Sequence, residues 1–94
     1  MFTSSSERSQ RADFEVVLTT KQLGGLLMPS LTLHRLKDWD IAQAREFAAT
    51  LAREHAQRLP AVVAAVERVN DDQWEFTTNN ATLVIYTCKR VATS

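Results

Sequence analysis

Apolar residues recur along this chain at two different spacings, and the change of spacing marks out the elements. From Asp40 to Leu59 (DIAQAREFAATLAREHAQRL), a step of about 100° per residue puts Ile41, Ala44, Phe47, Ala48, Leu51, Ala52, His55 and Leu59 on one side. Gln43, Glu46, Thr50, Arg53 and Gln57 fall opposite, so the stretch is predicted to be an amphipathic helix. Asp40 is placed to cap it, with Gln43 completing a capping box and Trp39, just outside, stapling onto Ala44. Pro60 disfavours the α region for the residue before it, which ends the helix near Arg58. A contact face built largely of alanine lets a sheet approach closely.

Elsewhere the period is two. Phe14, Val16 and Leu18 alternate with Glu15, Val17 and Thr19, giving a first strand over Phe14 to Thr20. Leu31 to Leu36 is a second strand. Ala61 to Val69, Gln73 to Thr78 and Thr82 to Lys89 are a third, fourth and fifth. Gly24-Gly25 and Pro29 break the first pair apart, and the intervening Leu23, Leu26, Leu27 and Met28 either close an open end of the core or form an apolar docking loop. Asn70-Asp71-Asp72 and Asn79-Asn80 carry turn chemistry. The expectation is an α+β domain over residues 13–90, a five-stranded antiparallel sheet (β-β-α-β-β-β) curled around a single helix. Residues 1–12, polar and Ser-rich, form a mobile arm.

Register follows from the turns. Asn79-Asn80 as a two-residue turn sets Phe76 opposite Leu83 and Trp74 opposite Ile85, all four toward the helix. A three-residue loop at Asn70 to Asp72 sets Val66 opposite Phe76, with Val62 and Ala64 on the same side. A two-residue loop would press Glu67 into the core. The other face then holds Val17, Val63, Ala65, Val84, Tyr86 and Cys88, relieved by Glu15, Glu67 and Glu75. That is more apolar than a solvated face usually is, and it reads as a partner or dimer interface.

Composition narrows the functional classes. Lys+Arg and Asp+Glu both number 11 in 94 residues, so general attraction to nucleic acid is not indicated and any basic patch is local. One cysteine, Cys88, excludes an internal disulfide framework and fits a reducing compartment. The amino-terminal residues lack the apolar core of a secretory signal, and no apolar run reaches the ~18 residues of a membrane span, so a cytoplasmic location is expected. His34 and His55 have no nucleophile or carboxylate pair at catalytic spacing, and the acids lack metal-ligand spacing. No enzyme activity, metal or cofactor is expected. His55 reads as a helix-end histidine bonded to a backbone carbonyl.

Ile41 to Ala48 (IAQAREFA), the stretch Ala61 to Val69, then Asp72-Gln73-Trp74 and the Asn79-Asn80 hairpin together resemble small phage-encoded anti-CRISPR proteins that inhibit type I interference complexes. The resemblance spans roughly Leu31 to Lys89. It implies an antiparallel sheet around one helix, action by binding, and an interference complex as protein partner, blocked from engaging target DNA in the host cytoplasm. Where those helices carry two adjacent basic residues, this one has Arg45-Glu46. The expected partner-binding residues are Arg35, Lys37, Arg45, Arg53, Val84, Tyr86, Lys89 and Arg90. The alternative is a small nucleic-acid-binding or regulatory domain, homodimeric through the outer sheet face.

Overall fold

The structure is a computed structural model that describes residues 11–22, 24–25, 29–59, 65–78 and 81–91. Its elements run β1 (Arg11–Gln22), β2 (Leu31–Asp40), α1 (Ile41–Arg58), β3 (Glu67–Asn70), β4 (Gln73–Thr77) and β5 (Thr82–Arg90). The strands form one antiparallel sheet in the order β2-β1-β5-β4-β3, with α1 against one face. This is the α+β arrangement that the two hydrophobic periods predict.

Helix α1 starts and stops on the anticipated signals. The Asp40 carboxylate accepts a hydrogen bond from the Ala42 N–H at 3.0 Å, satisfying one of the free donors of the first turn. That bond goes to Ala42 rather than closing a capping box with Gln43. Trp39 packs on Phe47, ring centroids 5.4 Å apart. Leu59 ends the helix with extended backbone, as the proline after it requires.

The buried side of α1 is Ala44, Ala48, Ala49 and Ala52, and the sheet supplies the bulk that the alanines lack. Phe14, Val16, Leu36, Trp74, Phe76, Val84, Tyr86 and Cys88 complete the core. Large rings from the strands therefore fill the space beside a slender helix, each aromatic contributing much of the buried apolar area.

Strand β1 runs from Arg11 to Gln22, longer than its alternation suggested, because β2 pairs with it from Arg11 and β5 along nine consecutive positions from Phe14 to Gln22. Arg11 and Ala12 thus belong to the sheet, whereas the rest of the expected arm lies outside the described residues, as do Leu23, Leu26, Leu27 and Met28. β3 covers only Glu67–Asn70, with Ala65 and Val66 outside it, and residues 61–64 are not described. Glu67 faces Glu75 and Arg68 faces Trp74, the expected register, but the expected three-residue loop is a two-residue turn, Asp71-Asp72, with Asn70 paired to Gln73 and the extra residue taken up by a bulge at Val69.

The β4–β5 register differs from expectation by one residue. Trp74 lies opposite Tyr86 and Phe76 opposite Val84. The cause is the connection: the Ala81 N–H donates to the Thr78 carbonyl at 3.2 Å, the Thr78 N–H donates to the Thr82 carbonyl at 2.9 Å, and Ala81 takes φ 65°. A left-handed residue ending the connection makes it a three-residue loop, one longer than the two-residue turn read from Asn79-Asn80, residues that are not described. Since side chains alternate, that single step turns Val84, Tyr86 and Cys88 inward and Leu83 and Ile85 outward.

Candidate binding surface

The corrected register defines the face of the sheet away from α1. On β1 it carries Glu15, Val17, Thr19 and Lys21, on β5 Leu83, Ile85, Thr87 and Lys89, and on β4 Gln73, Glu75 and Thr77. No described element covers this face. Val17 faces Thr87 and Thr19 faces Ile85, so Val17 and Ile85 are diagonal neighbours, with Leu83 next along β5. Threonines suit a solvated sheet face, but a contiguous Val-Leu-Ile patch among them does not.

Charge is unevenly placed around that patch. At the β2 side, Glu15 lies between Arg35 and Lys89 in adjacent strands and accepts an ion pair from Arg35 at 3.3 Å. Arg35 is 82% exposed, so this pair is held weakly in water. Lys37 falls in the register shift between Leu36 and Trp39 and lines a groove with Trp39, Gln43, Glu46 and Phe47 on the α1 side. Across the sheet, Glu67 and Glu75 face each other on β3 and β4. Gln73 donates to the Glu75 carboxylate at 2.7 Å, and among the described residues neither glutamate has an ion pair.

The expected partner-binding residues therefore do not share one surface. Arg35 and Lys89 flank Glu15 on the outer face, Lys37 borders the groove beside Trp39 and Phe47, and Arg90, opposite Phe14, stands exposed at the end of β5. Arg45 and Arg53 lie on the opposite side, with Glu46, Arg68 and Trp74 around a groove of about 430 Å³ beside α1. Val84 and Tyr86, 3% and 4% exposed, are in the core, which removes them from any docking surface in the folded protein. Leu83 and Ile85 take their place.

The cations of the groove are already engaged. Arg45 donates to the Asp72 carboxylate at 2.8 Å, a hydrogen bond that raises the guanidinium's already high pKa. Arg53 pairs with Glu46 at 3.6 Å, and Arg68 pairs with Asp71 at 3.7 Å while its guanidinium sits 5.6 Å from the Trp74 ring centre. Arg68 thus caps an indole that is itself buried. The groove is electrically balanced, unlike either end of the sheet face.

Neither potentially reactive side chain is activated. Burial pushes the Cys88 thiol up to about 11, with Asp72 adding to the effect, so it stays protonated and faces the core. His55 meets the Tyr86 hydroxyl, not the backbone carbonyl anticipated for it, and burial followed by nearby Arg58 lowers its pKa. His34 rests edge-on against Phe47, centroids 5.1 Å apart. Among the described residues no group of three or more His, Cys, Asp or Glu could hold a metal ion. No described helix is long and apolar enough to cross a membrane.

Both sheet edges are guarded. On β2, register shifts between Val16 and Val17 and between Ala12 and Phe14 interrupt the ladder, and Asp38 takes φ 57° in the second. β3 is four residues long and bulged at Val69. Bulges and short strands discourage another chain from adding to an edge. No family model, curated protein or solved structure matches this chain.

Proposed function

We propose that this chain is a non-enzymatic binding protein that docks on a macromolecular partner through the sheet face opposite α1. The observation that carries the reading is the uncovered Val17–Leu83–Ile85 patch, flanked by charge of opposite sign at its two ends, on a sheet whose edges are blunted. A protein used by its edges would keep a long regular outer strand, and this one interrupts both. The test is differential capture of partners. Immobilised wild type is compared with Ile85→Glu, on the outer face, and with Arg53→Glu, on the helix side. Loss of captured protein with Ile85→Glu but not Arg53→Glu is the expected result; the reverse pattern would transfer the docking site to the groove.

A more specific reading is that the partner is a type I CRISPR interference complex, held so that target DNA cannot engage it. The element order β-β-α-β-β-β, with one helix on a five-stranded antiparallel sheet, supports it. Arg45 is committed to Asp72, so such an inhibitor would contact the complex through Arg35 and Lys89 rather than through the helix. Target-DNA binding by purified type I complexes, measured with and without the protein, decides the matter. Unchanged DNA binding across the complexes tested would leave the general docking reading without this partner. A mobility shift with DNA alone that weakens steeply with salt would instead indicate direct nucleic-acid binding.

A further inference from the structure

The outer face has a property that narrows its occupant. Its β2, β1 and β5 strands carry Arg35, Lys21 and Lys89 with a single carboxylate, Glu15. Its β3 side sets Glu67 directly opposite Glu75 with no cation paired to either among the described residues, an arrangement that costs stability in an isolated sheet. The apolar patch lies between the two ends. A surface whose two ends carry opposite charge is complementary to itself when rotated by half a turn, which is the requirement of an isologous two-fold interface.

We propose that the face takes a second copy of this chain, in a two-fold face-to-face sandwich with the Arg35–Lys89 end of each protomer over the Glu67–Glu75 end of the other. The inference rests on the docking reading above and names the partner. Size agrees with it. Five strands of 12, 10, 9, 5 and 4 residues, about 4.8 Å apart and rising ~3.3 Å per residue, offer a face of roughly 600 Å², at the low end of the ~600–1,000 Å² per partner of a stable complex. Sheets packed this way lie about 10 Å apart with their strands about 30° off parallel, which lets Val17, Leu83 and Ile85 interdigitate near the axis. The bulged edges disfavour the other symmetric route, one continuous sheet across two chains. Pairing would give the facing glutamates the cations that they lack within the protomer.

Two charge-reversed variants test the arrangement. R35E/K89E makes both ends acidic, and E67K/E75K makes both basic; all four positions are exposed or at the strand surface, and circular dichroism with thermal unfolding verifies folding. Light scattering coupled to size exclusion should give wild type twice the 10.6 kDa chain mass, decreasing as salt rises. Each variant alone should self-associate on the order of 100-fold more weakly, because like charges are brought together. An equimolar mixture of the two should recover the dimer mass. Wild type that stays monomeric at high concentration overturns the inference, and so do variants that remain dimeric alone or fail to combine when mixed. If wild type is monomeric yet captures another partner in an Ile85-dependent way, the second-copy inference falls and the docking reading stands. Loss of Ile85 dependence as well would remove both.

Discussion

The Tyr86 hydroxyl and Nδ1 of His55 lie 2.8 Å apart, joining the middle of the central strand β5 to the last turn of α1. His55 also stands edge-on to Phe76 and Tyr86, with centroids 5.2 and 5.7 Å away. The contact gives a buried phenol its polar partner and fixes the helix at its carboxyl end, where packing is otherwise carried by alanine. Tyr86→Phe should therefore cost about 1–2 kcal/mol, the penalty for a half-buried imidazole left without its partner. Tyr86→Ala, which also opens a cavity, should cost ~3–5 kcal/mol. Chemical denaturation of the two variants measures both; a neutral Tyr86→Ala would place this ring back on the surface.

Acid should weaken the fold through the same pair. Burial lowers the pKa of His55 below 6.5, with the Arg58 charge adding to the shift. As pH falls through 6.5, the unfolded imidazole takes up a proton that the folded one still refuses, so the unfolded state binds more protons and stability declines. The contribution is intact above that pH and lost below it. Urea midpoints at about pH 7.5 and about pH 5 should show a smaller decline in His55→Gln than in wild type.

Ala81 holds a left-handed backbone, φ 65°, that an alanine adopts only at a cost of about 1 kcal/mol. Ala81→Gly should relieve that strain and raise the melting temperature by about 4 °C or more. Calorimetry reads the change. A lower melting temperature would mean that the added freedom of the unfolded chain outweighs the strain.

Phe76 is 3% exposed and sits between His55 and the alanine face of α1. Phe76→Ala should destabilise by ~3–5 kcal/mol, whereas Ile85→Ala, two strand positions from Leu83 on the uncovered face, should cost well under half of that. Equal losses would contradict the register described for β4 and β5.

Cys88 should be slow to modify. With its thiol buried and titrating near 11, a disulfide reagent at neutral pH should react at a rate set by unfolding, and denaturant should accelerate it sharply. Fast modification of the native protein would show that the carboxyl end of β5 opens locally.

Much of this architecture was legible from spacing alone. Period and caps located α1 from Asp40 to Arg58, and alternation located β1, β4 and β5. The β3–β4 register followed from the cost of burying Glu67. The β4–β5 register did not, because the third loop residue is an alanine; left-handed positions are usually signalled by Gly or Asn, and Ala81 gives no such sign. That one residue reversed both faces of β5 and so exchanged Tyr86 and Val84 for Ile85 and Leu83 at the candidate surface. A clue was available in His55: on an apolar helix face it needs a polar partner, and Tyr86 turned inward is the side chain able to provide one. The polarity of the outer face was out of reach, since it depends on which distant strands become neighbours.

The alanines of α1 also govern how this protein can vary. Ala44, Ala48, Ala49 and Ala52 leave only glycine as a smaller choice, and glycine loosens a helix. Anything larger must lift an 18-residue rod off several strands together, a cost felt by Trp74, Phe76 and Tyr86 at once. The inner wall is thus close to immovable, whereas Val17, Leu83 and Ile85 on the opposite side of the sheet can change size without moving the helix.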